Sequence, residues 1–450
     1  MPLDRRRFFQ TSLGTLAASV VPGAASAGAT NFREGELRVG ILGSGFRGQS
    51  HIRELFSQPE VRVTAIADID PRMVELTQAL FDERKLDRPE VYDRGPEDYL
   101  RLLAEAPVDA IIIATPWRWH TVMAVAAMRA GKYTGLEVGG AFSLEECWEL
   151  VQAHEATGTH LFFLENVCYR RDVMAVLNMV RQGLFGELVY LEGGYQHDLR
   201  AVKFNDGKSA YGNGVEFGDN AFHEARWRTR HSQHRNGDLY PTHGLGPVAT
   251  MIDINRGNRF VGLTSTATKS RGLHKYIVDQ AGPDHPNASV AFKLGDVVTT
   301  MLTTANGEVI VLHHDTNLPR PYSLGFRVQG TEGLWMDVNE SIHLEGKSPA
   351  HQWEKAAPYL ERYDHPYWQQ DGEVAAGAGH GGMDYFLIRD FVRFAKAGTR
   401  PPLDVYDGAT WLAVTPLSEQ SIVAGGTLQQ FPDFTRGRWM DRPDDFATAG

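Results

Sequence analysis

Three glycines, Gly43, Gly45 and Gly48, constrain the fold of this chain more than any other feature of its sequence. They follow the apolar run Leu37–Leu42, which is typical of a buried strand, and precede a stretch of helical periodicity that ends near residue 56. A Gly-x-Gly-x-x-Gly motif between a strand and a helix is the fingerprint of a dinucleotide-binding fold. Its glycines permit a tight turn, a close approach of the backbone to a pyrophosphate, and close packing of the helix on the strand. A glycine-rich turn without a ligand is the alternative.

An acidic residue favours the ligand-binding interpretation. Asp68 lies twenty residues after Gly48, at the end of a second apolar run, residues 61–67. A carboxylate at that place accepts hydrogen bonds from ribose hydroxyls and repels a 2′-phosphate, so the sequence predicts NAD and not NADP. Two alternatives stay open: Asp68 only ends the strand, or Arg72 turns toward a 2′-phosphate. The free N–H groups at the start of the helix favour the pyrophosphate itself.

Strands and helices alternate through the first third of the chain. Further strands are predicted over residues 110–114 and 133–138. Asp70-Pro71 predicts a helix start with Asp as the N-cap, and Ser143 has capping-box spacing to Glu146. This alternation predicts an α/β fold in which an N-terminal Rossmann domain carries a doubly wound parallel sheet.

The pattern changes after about residue 165. A helix is predicted over residues 172–182, and β-type stretches follow at 188–195, 261–268, 289–294, 297–303 and 309–313. Asn306-Gly307 predicts a hairpin between the last two, so we expect a C-terminal α/β domain on a largely antiparallel sheet. Residues 196–240 lack a period and are interpreted as a long functional loop. The predicted domains are a signal segment (1–27), a linker (28–36), an NAD-binding domain (37–165) and a substrate-binding domain (166–450).

The first 27 residues have the organisation of an export signal. Arg5, Arg6 and Arg7 precede Phe8-Phe9, and an apolar run too short to span a bilayer leads to Ala25-Ser26-Ala27. Paired arginines before two phenylalanines resemble a twin-arginine signal, the bacterial route for folded proteins; an ordinary secretory peptide is the alternative. We therefore expect a periplasmic or secreted protein with no membrane anchor once the signal is removed.

Charge and cysteine content narrow the range of partners. The formal net charge is −11 and no Lys- or Arg-rich stretch follows the signal, so nucleic acid is not an expected partner. The two cysteines, Cys147 and Cys168, do not form a disulfide framework.

No metal site is predicted. Alternation on a strand points His313 and His314 to opposite faces, and neither this pair nor the pair His231 and His234 has a matching third ligand. Assembly into a homo-oligomer stays open.

The N-terminal half resembles the Gfo/Idh/MocA oxidoreductases, with Thr115-Pro116 after the third predicted strand and Glu137 where that superfamily carries Glu-Lys-Pro. This chain has Val138 and Gly139 in place of the lysine and proline. Nearly the whole mature chain resembles glycoside hydrolase family 109, the NAD-dependent α-N-acetylgalactosaminidases. The match is carried by residues 117–120, 137–138, 165–167, 195–200, 226–228, 235–244, 319–323 and 431–437. The run Tyr240-Pro241-Thr242-His243 beside Asn236-Gly237 is the most discriminating of these stretches.

The resemblance implies two sets of binding residues. The implied NAD contacts, added to the three glycines, are Phe46, Arg47, Asp68, Trp117, Arg118, Trp119, His120, Glu137, Val138, Asn166 and Tyr240. The implied sugar contacts are Tyr195, Arg228, Tyr240, Pro241, Thr242, His243 and Tyr322. The expected partner is a small-molecule or glycan-terminal sugar.

The resemblance also implies a mechanism. Hydride passes from C3 of the sugar to NAD, the resulting ketone acidifies the C2 proton, and loss of that proton expels the C1 substituent; water then adds and the hydride returns to C3. Such a cycle needs proton carriers, and His243 is the first candidate because imidazole titrates near neutral pH. Tyr240 and Tyr322 are candidate partners, but a phenol needs a lowered pKa to act as a base. A histidine satisfied inside the fold, and tyrosines that only pack or bind sugar, are the alternatives.

Other functions remain open at the level of sequence. A sugar dehydrogenase would use the same cofactor site, although the missing lysine argues against it, and a non-catalytic sugar-binding protein would need neither His243 nor NAD chemistry. Glu165, Asp198 and Asp238 are possible acids of a conventional hydrolase. Residues 379–382 either line the sugar pocket or form a helix-entry loop.

Overall fold

The computed structural model describes residues 35–139, 141–444 and 446–447. The predicted signal segment lies outside the described residues, as do residues 28–34 of the predicted linker and Gly140. No helix among the described residues is long and apolar enough to cross a membrane.

The N-terminal half forms a parallel sheet with helices between its strands. The strands are β1 (Leu37–Leu42), β2 (Val61–Ala67), β3 (Glu90–Tyr92), β4 (Ala110–Ile113), β5 (Tyr133–Leu136) and β6 (Leu161–Phe163). The helices are α1 (Phe46–Leu55), α2 (Pro71–Glu83), α3 (Asp98–Glu105), α4 (His120–Arg129) and α5 (Leu144–Thr157).

The strand order is β3-β2-β1-β4-β5-β6, so the chain reverses direction across the sheet between β1 and β4. In open α/β sheets the ligand crevice lies at this switch point, outside the carboxyl ends of the strands. β1 and β4 are almost wholly buried, which their Val-, Leu- and Ile-rich sequences predict for strands covered on both faces. The predicted Rossmann fold is confirmed.

The helix starts follow the sequence signals, with one correction. The Asp70 carboxylate accepts a hydrogen bond from Arg72 N at 3.0 Å at the start of α2. Ser143 accepts from Glu146 N at 3.3 Å at the start of α5. The reciprocal bond of the expected capping box is replaced, because the Glu146 carboxylate accepts from Phe142 N at 2.6 Å and not from the Ser143 backbone.

A second sheet of nine strands forms the C-terminal half. Its strands are β7 (Leu188–Gln196), β8 (Phe260–Ala267), β9 (Val297–Thr304), β10 (Val309–Asp315), β11 (Arg327–Gly330), β12 (Gly333–Met336), β13 (Ser341–Leu344), β14 (Glu354–Lys355) and β15 (Gln429–Gln430). The helices are α6 (Arg171–Arg181), α7 (Arg200–Lys203), α8 (Arg228–His234), α9 (Thr242–Met251), α10 (Gly272–Ala281), α11 (Ala357–Arg362), α12 (Pro366–Ala375), α13 (Met383–Ala397), α14 (Val405–Leu412) and α15 (Val414–Val423). Single 3-10 turns cover Trp117–Trp119, Asn166–Tyr169, Gly218–Asn220, His223–Arg226, Pro286–Ser289, Gly379–Gly382 and Arg438–Met440.

The second sheet is largely antiparallel, as predicted, and its order is β14-β13-β12-β11-β7-β10-β9-β8-β15. The predicted hairpin joins β9 to β10, where Thr303 pairs with Val309. One pair at the centre of the sheet, β7 and β10, runs parallel. These two strands are far apart in sequence, so no tight turn fixes their relative direction.

Two predictions about local structure need correction. Residues 289–294 do not form a strand: Pro286 opens a 3-10 turn, and the backbone N–H groups of Lys293 and Leu294 then donate to the carbonyls of Gln233 and Ser232 at the end of α8. The predicted loop at 196–240 contains α7, α8 and two 3-10 turns, although it adds no strand beyond the end of β7.

One hydrophobic core runs through both halves, so the predicted domain boundary at residues 165–166 stays a prediction. Two helices of the C-terminal half contribute to the site. α9 lies against β7 with almost no separation, since a Cβ atom on Gly244 would come within 2.1 Å of Gly194 N. α13 packs on α1 and on the turn that begins at Asn166.

Candidate active site

The glycine turn after β1 leaves no room for side chains at two of its three glycines. Gly43 has φ 88°, and a Cβ there would lie 2.7 Å from the Ala114 carbonyl oxygen; a Cβ at Gly48 would lie 2.1 Å from the Gly43 carbonyl oxygen. At Gly45 the one described atom within 4 Å of such a Cβ, outside its own turn and helix, is Nε2 of His223, at 3.7 Å. The backbone at Gly45 is therefore accessible in the way that a pyrophosphate requires.

Asp68 joins this turn to the start of α2. Its carboxylate accepts hydrogen bonds from Ser44 N at 2.7 Å and from Asp70 N at 2.9 Å. Burial raises the pKa of Asp68, and the two backbone donors oppose that shift. The oriented carboxylate of Asp68 fits the adenosine ribose of a dinucleotide, and the open face of Gly45 beside it fits the pyrophosphate.

The second cofactor-side group is a buried ion-pair cluster around Arg47. Its Nε donates to Glu137 Oε1 at 2.6 Å and its Nη1 donates to Asp384 Oδ2 at 2.7 Å. His51 Nε2 also lies 2.7 Å from Glu137 Oε1, and Val138 N donates to Glu137 Oε2 at 3.0 Å. Burial opposes ionisation of Glu137, but Arg47 and His51 hold its pKa well below the usual range. The cation that neutralises Glu137 thus comes from α1 and not from position 138.

Asp384 connects Asn166 and His380 to the same cluster. Asn166 Nδ2 donates to Asp384 Oδ1 at 2.8 Å, and His380 Nδ1 lies 2.7 Å from Asp384 Oδ2. The 3-10 turn that carries His380 is held against α1, where Gly379 N donates to Glu54 Oε1 at 2.9 Å. This loop therefore lies on the cofactor side. Sequence reasoning missed Asp384, which stands in the first turn of α13 without a motif around it.

The segment 117–120 lies at the carboxyl end of β4. Trp117 is buried and stacks on Tyr240, with ring centroids 5.5 Å apart. Arg118 is exposed, and its guanidinium lies over the half-buried Trp119 ring, 5.2 Å from the ring centroid. His120 is buried between the carbonyl oxygens of Thr115 at 2.8 Å and Gly139 at 3.0 Å.

The departure from Glu-Lys-Pro has a physical reason at Gly139. Its φ of 83° is closed to proline, and a Cβ there would lie 2.8 Å from Trp117 and 2.9 Å from Tyr240. The loop after β5 is therefore built around glycine, so that the indole of Trp117 and the phenol ring of Tyr240 approach its backbone.

Aromatic rings form the sugar-side cluster. Tyr240 lies at the centre, with ring centroids 4.7 Å from Tyr195 and 4.9 Å from His243. Tyr322 lies 6.4 Å from Tyr195 and is 49% exposed, which places it at the rim. The Arg228 guanidinium lies over the Tyr240 ring at 5.2 Å and donates to Glu224 at 2.5 Å.

The phenols in this cluster do not have the lowered pKa that a base requires. Burial raises the pKa of Tyr240 and of Tyr322 well above the ordinary value. Burial also raises the pKa of Tyr195, with opposition from Arg228. All three phenols are therefore protonated near neutral pH, and they suit hydrogen-bond donation to a sugar better than proton abstraction.

His243 is paired with a carboxylate that is buried completely. Its Nδ1 lies 2.6 Å from Glu165 Oε1, and Val167 N donates to the same oxygen at 3.0 Å. Pro241 and Thr242 are buried, and they place His243 in the first turn of α9. Since a carboxylate accepts the Nδ1 proton, Nε2 of a neutral His243 keeps its lone pair for a ligand.

The remaining acids have other partners. Asp198 is held by Arg200 at 2.7 Å. Asp238 is buried, accepts from Tyr240 N at 3.3 Å, and has a pKa raised to about 7 by burial. The described residues contain no group of three His, Cys, Asp or Glu that could hold a metal ion.

Two family models together match most of the described part of the chain. Residues 37–164 match the oxidoreductase family with the NAD-binding Rossmann fold, and residues 169–441 match the C-terminal domain of glycosyl hydrolase 109. The chain belongs to glycoside hydrolase family 109. It is an enzyme of the glycoside hydrolase class, and its N-terminal half is an NAD-binding Rossmann domain.

Relatives agree with this assignment. A glycosyl hydrolase family 109 protein of Stenotrophomonas maltophilia is 51% identical over 100% of this chain and 99% of its own length. An α-N-acetylgalactosaminidase of Tannerella forsythia is 51% identical over 92% of this chain and 89% of its own length. Among solved structures, an inositol dehydrogenase homologue of Azotobacter vinelandii with NADH and myo-inositol has the same fold, with a TM-score of 0.62, 19% identity, and coverage of 89% of this chain and 99% of that chain.

Proposed function

We propose that this family 109 enzyme is an exported α-N-acetylgalactosaminidase that cleaves its substrate by transient oxidation at C3. The observation that carries the proposal is the position of Tyr240. Its ring stacks on Trp117 at the cofactor side and lies against His243, which is the expected proton carrier. A sugar bound beside His243 is therefore adjacent to the crevice where the nicotinamide belongs.

The residues present fit the cofactor. Gly45 and the N-terminus of α1 would hold the pyrophosphate and Asp68 would hold the adenosine ribose, while the Glu137 cluster and Trp117 would line the nicotinamide end. When bound, NAD supplies a two-electron acceptor for the hydride on C3 of the sugar and returns that hydride at the end of the cycle.

His243 then acts on protons in the order that the chemistry requires. Its Nε2 takes the proton of the C3 hydroxyl or of C2–H while Glu165 holds Nδ1–H and stabilises the imidazolium that forms. With C3 oxidised to a ketone, loss of the C2 proton expels the C1 substituent. Water then adds across the C1–C2 double bond, its oxygen to C1 and a proton to C2, before C3 is reduced again. Tyr195, Tyr322 and Arg228 position the ring.

The test is hydrolysis of an α-N-acetylgalactosaminide in heavy water without added reductant. The proposal expects free sugar with deuterium at C2 and no net change in the nicotinamide absorbance. Hydrogen retained at C2 with normal release of the aglycone would reject it. Accumulation of keto-sugar would indicate a dehydrogenase, and binding without turnover would indicate a sugar-binding protein. A matched reaction with His243→Asn is expected to give neither hydrolysis nor exchange.

Export completes the proposal. Arg5, Arg6 and Phe8-Phe9 support a twin-arginine signal, a route that moves proteins already folded around their cofactors. NAD recycled within each turnover needs no supply outside the cytoplasm. Protein recovered from the periplasm is expected to contain NAD, and replacement of Arg5, Arg6 and Arg7 by lysine is expected to keep it in the cytoplasm. Continued export of that variant would reject the twin-arginine route. A homo-oligomeric state stays a prediction.

A further inference from the structure

A segment of the C-terminal half lies across the predicted entrance for the dinucleotide. We define residues 205–227, between α7 and α8, as the cover segment. The Phe46 ring at the start of α1 is stacked on His223, with centroids 4.0 Å apart, and lies 6.3 Å from Tyr211. The cover segment therefore contacts the glycine turn directly, although more than 150 residues separate them in the sequence.

The cover segment also contacts the second loop of the cofactor site. The Arg72 guanidinium lies over the Phe222 ring at 4.1 Å and donates to the Lys208 carbonyl oxygen at 3.2 Å. Arg226 Nη1 lies 3.7 Å from Asp70 Oδ2. Both Asp70 and Arg72 stand just after Asp68. The segment thus spans the two loops that would hold the pyrophosphate and the adenosine ribose.

His223 is the member of the cover segment that faces the phosphate position. Phe46 N, the backbone donor at the start of α1, donates to its Nε2 at 3.4 Å, and among the described atoms outside that turn and helix only this nitrogen lies within 4 Å of a Cβ built at Gly45. Its backbone has φ 55°, which is uncommon for a residue other than glycine and indicates that the surrounding structure holds it in place.

The imidazole of His223 is not satisfied in either neutral form. Nδ1 is buried and has no hydrogen-bond partner among the described residues. If the proton is on Nδ1, a buried donor is unpaired; if it is on Nε2, two N–H groups face each other across 3.4 Å. An anionic oxygen beside Phe46 N and Nε2 would accept from both donors, and dinucleotide phosphates bind at this end of a Rossmann helix.

We propose that His223 is a cofactor-binding residue contributed by the C-terminal half: its Nε2–H binds the pyrophosphate of NAD, and the cover segment closes over the bound dinucleotide. The cofactor then cannot leave until the cover segment moves away from Phe46 and Arg72. The inference depends on the NAD site and not on oxidation at C3, so it stands or falls independently of the proposed glycosidase mechanism.

The experiment compares ligands with and without a pyrophosphate on one variant. His223→Asn removes the reach of the ring while keeping a residue that tolerates positive φ. It is expected to weaken ADP-ribose binding by about 10- to 100-fold and to speed NAD release by a similar factor, because the lost bond is made to a charged group. Adenosine, which lacks phosphates, is expected to bind with unchanged affinity. Dissociation constants come from calorimetry or NADH displacement, and NAD release from stopped-flow fluorescence.

Two further variants keep the test decisive. Lys208→Ala truncates an exposed side chain of the cover segment and keeps the carbonyl that Arg72 uses, so its affinities are expected to match the parent. His223→Gln, which restores an N–H donor of similar reach, is expected to recover part of the ADP-ribose affinity. Unchanged ADP-ribose binding in His223→Asn would overturn the proposal. An equal loss for adenosine and ADP-ribose would also overturn it, since the ring would then act only by shape.

Discussion

Substitutions at Glu165 separate an effect on catalysis from an effect on stability most clearly. The carboxylate of Glu165 is fully buried, and only one of its two oxygens has hydrogen-bond partners among the described residues. Oε1 accepts from Val167 N and pairs with His243 Nδ1, while Oε2 is buried without a partner among the described residues. In Glu165→Gln the side-chain oxygen can keep both bonds and the amide replaces the unpaired oxygen. The change therefore removes the negative charge beside His243 and little else.

The expected magnitudes follow from these contacts. Loss of the carboxylate that orients a catalytic histidine, and that stabilises its charged form, costs about 10²- to 10⁴-fold in kcat in enzymes built this way. We expect Glu165→Gln to lower kcat by about 100-fold and Glu165→Ala, which also loses the orientation of the ring, by about 1000-fold or more. KM should change little. The free energy of unfolding of Glu165→Gln should stay close to that of the parent, since one buried unpaired group, a carboxylate oxygen, is exchanged for another, an amide nitrogen, and each costs about 1–3 kcal/mol.

The assay is steady-state hydrolysis of an α-N-acetylgalactosaminide together with urea unfolding and measurement of bound NAD. Asp390→Asn is the matched control: Asp390 is also a buried carboxylate, but it pairs with Tyr169 and Tyr367 away from the sugar cluster. That variant should keep its kcat. A Glu165→Gln enzyme with parental kcat, or one that loses activity only in proportion to lost NAD, would refute the role given to Glu165.

Two further predictions concern buried charge. Arg47→Met leaves Glu137 and Asp384 without their shared cation, and urea unfolding should show a loss of about 3–5 kcal/mol together with weaker NAD binding. Arg88→Met, at an exposed ion pair with Asp82, should leave the urea midpoint close to that of the parent, and equal losses in the two variants would contradict this prediction. The pKa of Asp238 is about 7 in the folded protein and about 3.9 in the unfolded chain. The stabilisation that its carboxyl group contributes is therefore complete below about pH 4 and is lost as the pH rises to about 7. Asp238→Asn should therefore be more stable than the parent at pH 8, by up to about 4 kcal/mol, and equal to it near pH 4; a difference that does not change with pH would contradict this.

Much of the cofactor half could be predicted because its signals are local. The glycine spacing, the acid at the end of β2 and the Asp-Pro helix start each depend on residues close together in the chain, where backbone geometry leaves few alternatives. The four predicted strands through residue 138 are present for the same reason, but β3 and α3 were not predicted, because β3 has only three residues and neither element carries a motif. The strand predicted over 289–294 failed because its backbone partners, Gln233 and Ser232, lie in another element that no local pattern reveals.

The sequence by itself determined that the N-terminal half holds a dinucleotide crevice and that Tyr240 and His243 belong to one discriminating run of residues. Only the tertiary structure decided which groups hold them. Glu165 meets His243 across 78 residues, Asp384 meets Arg47 across 337, and His223 meets Phe46 across 177. Such partners pair because they are close in space. Spacing along the chain does not reveal that closeness, which arises only when both sheets and the helices between them have formed.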